Sequence, residues 1–327
     1  MELTGFDLKV DACINDIRDR LNNSENSNCA YCCLLYGSRP SDSLVANAIV
    51  LGRSLSERKY PLILMVTPDV PESVQSDLLT EMKPDKIICV EYIYGDWGLY
   101  KRDWFREVFT KFHMFNLCFF SKVMFLDLDI MINNMKEMDN LFHLNCLFAA
   151  MENSKGPDAL LLAHGESMSE CGLINAGVML ITPDSTLFDL LVYDVTHPSI
   201  NHVPGTTPEQ YYLARILGRY FHNLSQIYNF EVQYHGGVPL KDIWLNTDNV
   251  SDIVAFHFSG GDPLNGTNMK GCQFEKYYAT KFWNECIDFK VKKRATKRAE
   301  YAFNKWNSFW GKQMQIIETL LRSHPLY

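Results

Sequence analysis

Apolar positions in this chain come in short blocks separated by polar, glycine or proline breaks. Apolar runs at 29–36, 62–67, 86–90, 122–130, 147–151, 173–181 and 254–258 have the length of strands. Apolar throughout rather than alternating, they read as strands buried on both faces of a sheet. Between them, 43–55, 71–82, 106–116, 187–195 and 208–217 carry their apolar residues at helical spacing. Residues 4–21 predict an opening helix, and 22–28 a polar loop of Asn and Ser. Strands alternating with helices predict α/β architecture: a mostly parallel central sheet flanked by helices. In such sheets ligands sit at the carboxyl ends of the strands.

The run at 122–130 stands out because it ends in two carboxylates, Asp127 and Asp129, around Leu128. On a strand, side chains two apart point the same way, roughly 6.6 Å apart. Two like charges aimed together call for a cation, and a divalent ion with oxygen ligands is the usual answer. The alternative is a strand that simply surfaces at Asp127.

Further along, 153–170 is rich in Gly, Ser and His and reads as a loop excursion. Within 173–181, Asn175-Ala176-Gly177 interrupts the apolar run. A strand glycine marks close approach of a ligand or another backbone, and a buried Asn needs a partner. From Phe274 the chain is helical and aromatic in pattern, with a basic stretch at 290–298 followed by Trp306, Phe309 and Trp310. That extension suits ordinary packing, a homodimer contact or, less well, an anionic membrane surface.

Composition narrows the classes. With 327 residues, 47% hydrophobic and 21% charged, the chain can bury a large core without staples. The net charge of -8 argues against broad nucleic-acid binding. No apolar segment approaches 18 residues, so no membrane span is expected. There are ten cysteines, several in apolar runs such as Cys32, Cys33 and Cys89, and residues 1–20 read as a charged amphipathic stretch rather than a signal peptide. The cysteines read as reduced thiols of a cytoplasmic protein. Cys29 and Cys32 have CxxC spacing but no second pair at zinc-site spacing. No G-x-G-x-x-G follows a strand, which argues against a dinucleotide oxidoreductase.

Several motifs, in order, resemble glycosyltransferase family 8, most nearly its glycogenin-like branch. They are Leu51-Gly52-Arg53-Ser54-Leu55, Thr110-Lys111-Phe112, Phe125-Leu126-Asp127-Leu128-Asp129, Met138-Asp139-Asn140-Leu141-Phe142 and Ala149-Ala150-Met151-Glu152. Asn175-Ala176-Gly177-Val178, Glu209-Gln210, Tyr228-Asn229 and His257-Phe258-Ser259-Gly260 follow. The resemblance implies a GT-A type nucleotide-sugar-binding domain over 29–285, preceded by a helix and polar loop at 1–28 and followed by an extension at 286–327.

The activity it implies is retaining transfer of a hexose, glucose or galactose, from a UDP-sugar to a hydroxyl of a glycan or protein. N-acetylglucosamine and glucuronic acid stay open as donor sugars. A preplaced cation would stabilise the departing UDP. The resemblance assigns Asp127, Asp129 and His257 to that metal, and mixed O and N ligands suit Mn2+, or Mg2+ less well. It places Lys111 on phosphate or donor sugar. Asn175, Ala176 and Gly177 lie against sugar and acceptor, Glu209 and Gln210 near the anomeric carbon with Gln210 lining the reacting face, and Glu152 nearby. Gly260 belongs to the C-terminal motif. Leu35, Tyr36 and either Asp42 or Leu44 would meet the uracil.

The chain departs from the family after Gly260. Asp262 stands where the family has a phosphate-binding lysine, and Leu264 where it has tryptophan. A carboxylate beside a diphosphate is repulsive, so Asp262 would have to turn away while Lys270 or another cation substitutes. A UDP-sugar-binding protein with weak or no transfer is the alternative reading.

Overall fold

The computed structural model describes residues 5–23, 28–37, 42–95, 104–152, 173–202, 207–231 and 252–257. Ten strands are described: β1 (Cys29–Leu35), β2 (Leu62–Val66), β3 (Lys86–Cys89), β4 (Lys122–Leu126), β5 (Ile130–Ile132), β6 (Phe148–Glu152), β7 (Ile174–Ile181), β8 (Phe221–Asn223), β9 (Phe230–Glu231) and β10 (Ala255–His257). The helices are α1 (Gly5–Asn23), α2 (Asp42–Ser54), α3 (Glu72–Glu81), α4 (Trp104–Glu107), α5 (Met135–Asn140), α6 (Ser185–Thr196) and α7 (Pro208–Leu217). The helical pattern at 106–116 resolves into the end of α4 and a 3-10 helix, Val108–Asn116.

Seven strands form one sheet in the order β3-β2-β1-β4-β7-β6-β8. It is the mostly parallel sheet the pattern predicts: β7 alone runs against both its neighbours, β4 and β6. Alternation along β1 feeds two cores. Tyr31, Cys33 and Leu35 join one with α2, α3 and α5, while Ala30, Cys32 and Leu34 join the other with α1, α6 and α7. Cys29 and Cys32, three apart on this strand, therefore belong to different cores and share no site. Cys89, in an apolar context by sequence, is exposed because β3 is the sheet edge. Helix α1 is not peripheral to the core: Val10, Ile14 and Ile17 are buried in it.

Two close approaches fix the layers. A Cβ on Gly52 would lie 2.3 Å from the Met82 carbonyl oxygen, so only glycine lets α2 meet the end of α3. At the start of β4, Lys122 is fully buried and donates to the carbonyls of Phe142 and Leu144. Burial pushes its pKa down.

The 122–130 run is not one strand. Asp127 N–H makes a last ladder bond to the Gly177 carbonyl (2.8 Å), and Ile130 N–H then closes a turn onto the Asp127 carbonyl (3.2 Å). The chain leaves the large sheet there. Its apolar continuation, β5, enters a second sheet of order β5-β10-β9. Asp127 and Asp129 thus sit in a turn rather than two apart on a strand, which corrects the spacing argument. Among the described residues no helix is long and apolar enough to cross a membrane.

Candidate metal and diphosphate site

The turn between β4 and β5 holds both carboxylates at the carboxyl edge of the large sheet. The second sheet brings the third group. Antiparallel pairing of β10 with β5 sets His257 opposite Ile130, next in sequence to Asp129. One ligand atom from each of Asp127, Asp129 and His257 can then be chosen so that all lie within 4.8 Å of one another. His257 Nε2 is 3.3 Å from Asp129 Oδ1.

Lys111 approaches from the other side. Its ammonium lies 3.2 Å from Asp127 Oδ1 and 3.5 Å from Glu209 Oε1, and 5.3 Å from the centre of the Phe125 ring. Glu209 comes from the first turn of α7, so the ammonium ties the 3-10 helix, the β4 turn and α7 together. Its neighbour Gln210 is half-buried, and its buried Oε1 has no hydrogen-bond partner among the described residues.

Behind the ring of His257 lies a buried amide chain. Gly177 N–H donates to Asn175 Oδ1 (2.9 Å), Asn229 Nδ2 to the same oxygen (3.0 Å), and His257 Nδ1 meets Asn229 Oδ1 (2.8 Å). The ring packs on Gly177 so closely that a Cβ there would lie 2.4 Å from His257 Cε1. This is also where the β6–β7 register jumps, from Ala150 opposite Met179 to Met151 opposite Asn175. The Asn-Ala-Gly interruption is thus a bulge in which Asn175 Oδ1 accepts from Gly177 N–H and from Asn229, the residue that meets His257.

The charges pull in opposite directions. Burial pushes the Asp127 carboxyl up and Asp129 adds to that; Lys111 opposes them without reversing the shift. Burial also works against Asp129, but the His257 ring and its hydrogen bond outweigh it and hold that carboxyl below its usual range. For Lys111, burial is overcome by Asp127 and Glu209, which raise its pKa. For His257, burial is overcome by Asp129, which raises it too. With all three carboxylates ionised, one ammonium leaves the cluster net negative, so it suits a cation.

No family model matches the chain. It is 29% identical over 254 residues to Uncharacterized protein R707 of Acanthamoeba polyphaga mimivirus, covering 74% of this chain and 84% of that protein. It is 28% identical over 159 residues to human Glycogenin-1, covering 47% of this chain and 40% of glycogenin. That stretch is less than half the length of the human protein. This chain resembles glycosyltransferase family 8 in its glycogenin-like branch. Among solved structures, the glycosyltransferase GlyE of Streptococcus pneumoniae TIGR4 superposes with a TM-score of 0.49 at 16% identity, over 86% of this chain and 64% of that one. The fold is α/β, a mostly parallel seven-stranded sheet flanked by helices.

Of the residues singled out by that resemblance, the structure brings Asp127, Asp129, His257, Lys111 and Glu209 into one cluster. Asn175 and Gly177 meet His257 and its amide support. Leu128 and Ala176 are buried. At the end of β1, Leu35 is fully buried in the core, while Tyr36 is half-buried and senses the Lys111 charge. Glu152 closes β6, its N–H bound to Asn223 Oδ1 (2.9 Å). Leu44 packs on the core from α2. The Asp42 side chain, Gly260, Asp262, Leu264, Lys270 and the 286–327 extension lie outside the described residues. Asn229, given no role from sequence, is the residue the motif reading missed; its place beside Tyr228 in a family-like pair was the available signal.

Proposed function

We propose that this chain is a retaining glycosyltransferase that moves a hexose from a UDP-sugar, UDP-glucose or UDP-galactose, to a hydroxyl acceptor on a glycan or protein. The observation that carries the reading is the convergence of Asp127, Asp129 and His257 within 4.8 Å at the carboxyl edge of the sheet. Two carboxylate oxygens and an imidazole nitrogen fit Mn2+, with Mg2+ second. A cation held there would supply Lewis-acid stabilisation of the charge that builds on the departing diphosphate.

The chain's own residues set up the rest. Lys111 is locked between Asp127 and Glu209, so it keeps a fixed positive charge at the diphosphate end. Glu209 holds α7 to that ammonium and so fixes Gln210 in the next position. The unpartnered Gln210 Oε1 is a buried acceptor, suited to a sugar hydroxyl. With no second carboxylate required on the reacting face, the acceptor enters on the side that UDP leaves, and configuration is retained. The reading places the catalytic domain at 29–285 and the protein in the cytoplasm.

The test is UDP release from UDP-glucose and UDP-galactose with Mn2+, by the full chain. Release that depends on Mn2+ and is lost in Asp129→Asn supports the reading. Tight UDP binding without turnover overturns transfer in favour of a UDP-sugar-binding protein, the outcome that Asp262 in place of lysine would favour.

A further inference from the structure

The hydrogen bonds behind His257 can be assigned without choosing any amide orientation freely. Gly177 N–H is a backbone group and can only donate. The Asn175 atom 2.9 Å away must therefore be its carbonyl oxygen, Oδ1. The Asn229 atom 3.0 Å from that same oxygen must donate, so it is the amide nitrogen Nδ2. That leaves Asn229 Oδ1, which can only accept, 2.8 Å from His257 Nδ1. Nδ1 must then carry a proton. Nε2 faces a second acceptor, Asp129 Oδ1 at 3.3 Å, so it is the nitrogen that a cation between the two would claim.

We propose that Asn229 is a positioning residue that keeps a proton on His257 Nδ1, so that Nε2 is the nitrogen presented to a metal held with Asp129. The inference deepens the metal reading and rests on it for its purpose, though the tautomer stands on hydrogen bonds alone. It is a specific demand on the ring, because neutral imidazole in water prefers the opposite, Nε2–H form. The reversal is enforced in a water-poor setting: Asn175 is 3%, Asn229 0% and His257 4% exposed. Without a proton on Nδ1, two acceptors, Nδ1 and Asn229 Oδ1, would face each other in that buried setting. Gly177 supplies both ends of the device. Its N–H starts the chain of assignments, and its missing side chain lets the ring lie against the bulge. A metal-binding histidine needs such a partner on its other nitrogen to set tautomer and aim.

The test uses the full chain carrying Asp129→Ala, labelled with 15N-histidine and free of metal, so that Asn229 has no competitor for the ring proton. Long-range 1H–15N spectra at alkaline pH, where the ring is neutral, read the tautomer of His257, assigned by its loss in His257→Gln. The Nδ1–H pattern is expected; an Nε2–H pattern overturns the proposal. Adding Asn229→Leu, with no acceptor, should return the ring to Nε2–H; an unchanged tautomer in that folded variant also overturns the proposal. In the otherwise unmodified chain, Asn229→Leu should weaken Mn2+ binding by about 10- to 100-fold. The metal reading fails separately: Nδ1–H together with no Mn2+ uptake by the unmodified chain supports the assignment and removes the metal.

Discussion

Lys111 Nζ lies 3.2 Å from Asp127 Oδ1 and also bridges to Glu209, so one carboxylate of the candidate metal pair is shared with a buried ammonium. The Lys111 and Glu209 side chains are only 10% and 7% exposed. Removing one partner of a buried pair leaves the other uncompensated, at a cost of about 3–5 kcal/mol. Lys111→Met is therefore expected to lower the unfolding free energy by that much in metal-free protein, seen as a lower urea midpoint. Lys111→Met with Glu209→Gln should regain a large part of it. Equal midpoints for the single and double variants would show that the bridge does not hold α7.

Asp129→Asn and His257→Gln each remove one of the converging ligand atoms. Each is expected to weaken Mn2+ binding by at least ~100-fold, beyond the loss typical of a supporting residue. Electron paramagnetic resonance of free Mn2+ measures this directly and needs no substrate. Affinity unchanged in either variant would place the metal elsewhere.

Gly177→Ala puts a methyl group 2.4 Å from His257 Cε1. Overpacking of this kind costs about 1–3 kcal/mol, and here the yielding group is the ring itself. Thermal unfolding should show the stability loss, and Mn2+ titration a weakened affinity in the protein that remains folded. A variant with normal metal affinity would mean that the bulge, not the ring, gives way.

Two histidines away from the site predict acid sensitivity. Burial depresses the pKa of His113 and of His202; the hydrogen bond to the Glu91 carbonyl opposes it for the first, the Asp194 charge and carbonyl for the second. A depressed pKa means the folded state binds fewer protons than the unfolded chain. The stability they contribute is full above the unfolded value near ~6.5 and is lost as pH falls through their folded values. Each can add a slope of at most about 1.4 kcal/mol per pH unit. Urea midpoints measured downward from neutral pH should fall more steeply in the unmodified chain than in His202→Asn. Parallel pH profiles for the two would remove His202 from this account.

Much of the large sheet was legible because its strands are long enough to carry a pattern. The helix at 208–217 and the strand at 173–181 come within a residue of their predicted ends. The second sheet was legible only in part: the strand predicted at 254–258 holds β10, but β9 is two residues long, too short to show a period, and nothing local says that the two pair. The break between β4 and β5 was hidden for another reason. Leu128 and Ile130–Ile132 are buried like the strand before them, so the apolar run continues while the chain changes sheets. The site residues were readable as residue types at motif spacing. Which of them touch was not: Lys111 paired with Glu209, and Asn229 behind His257, are contacts between distant segments that leave no local trace.

The pairing of β5 with β10 also sets an order of events during synthesis. The large sheet is complete once β8 has emerged, at Asn223, whereas His257 follows later with the central strand of the small sheet. Chains fold from the N-terminus as they are made. A nascent chain can thus close its main core while Asp127 and Asp129 still lack their nitrogen partner, so metal-binding competence is acquired after the core rather than with it.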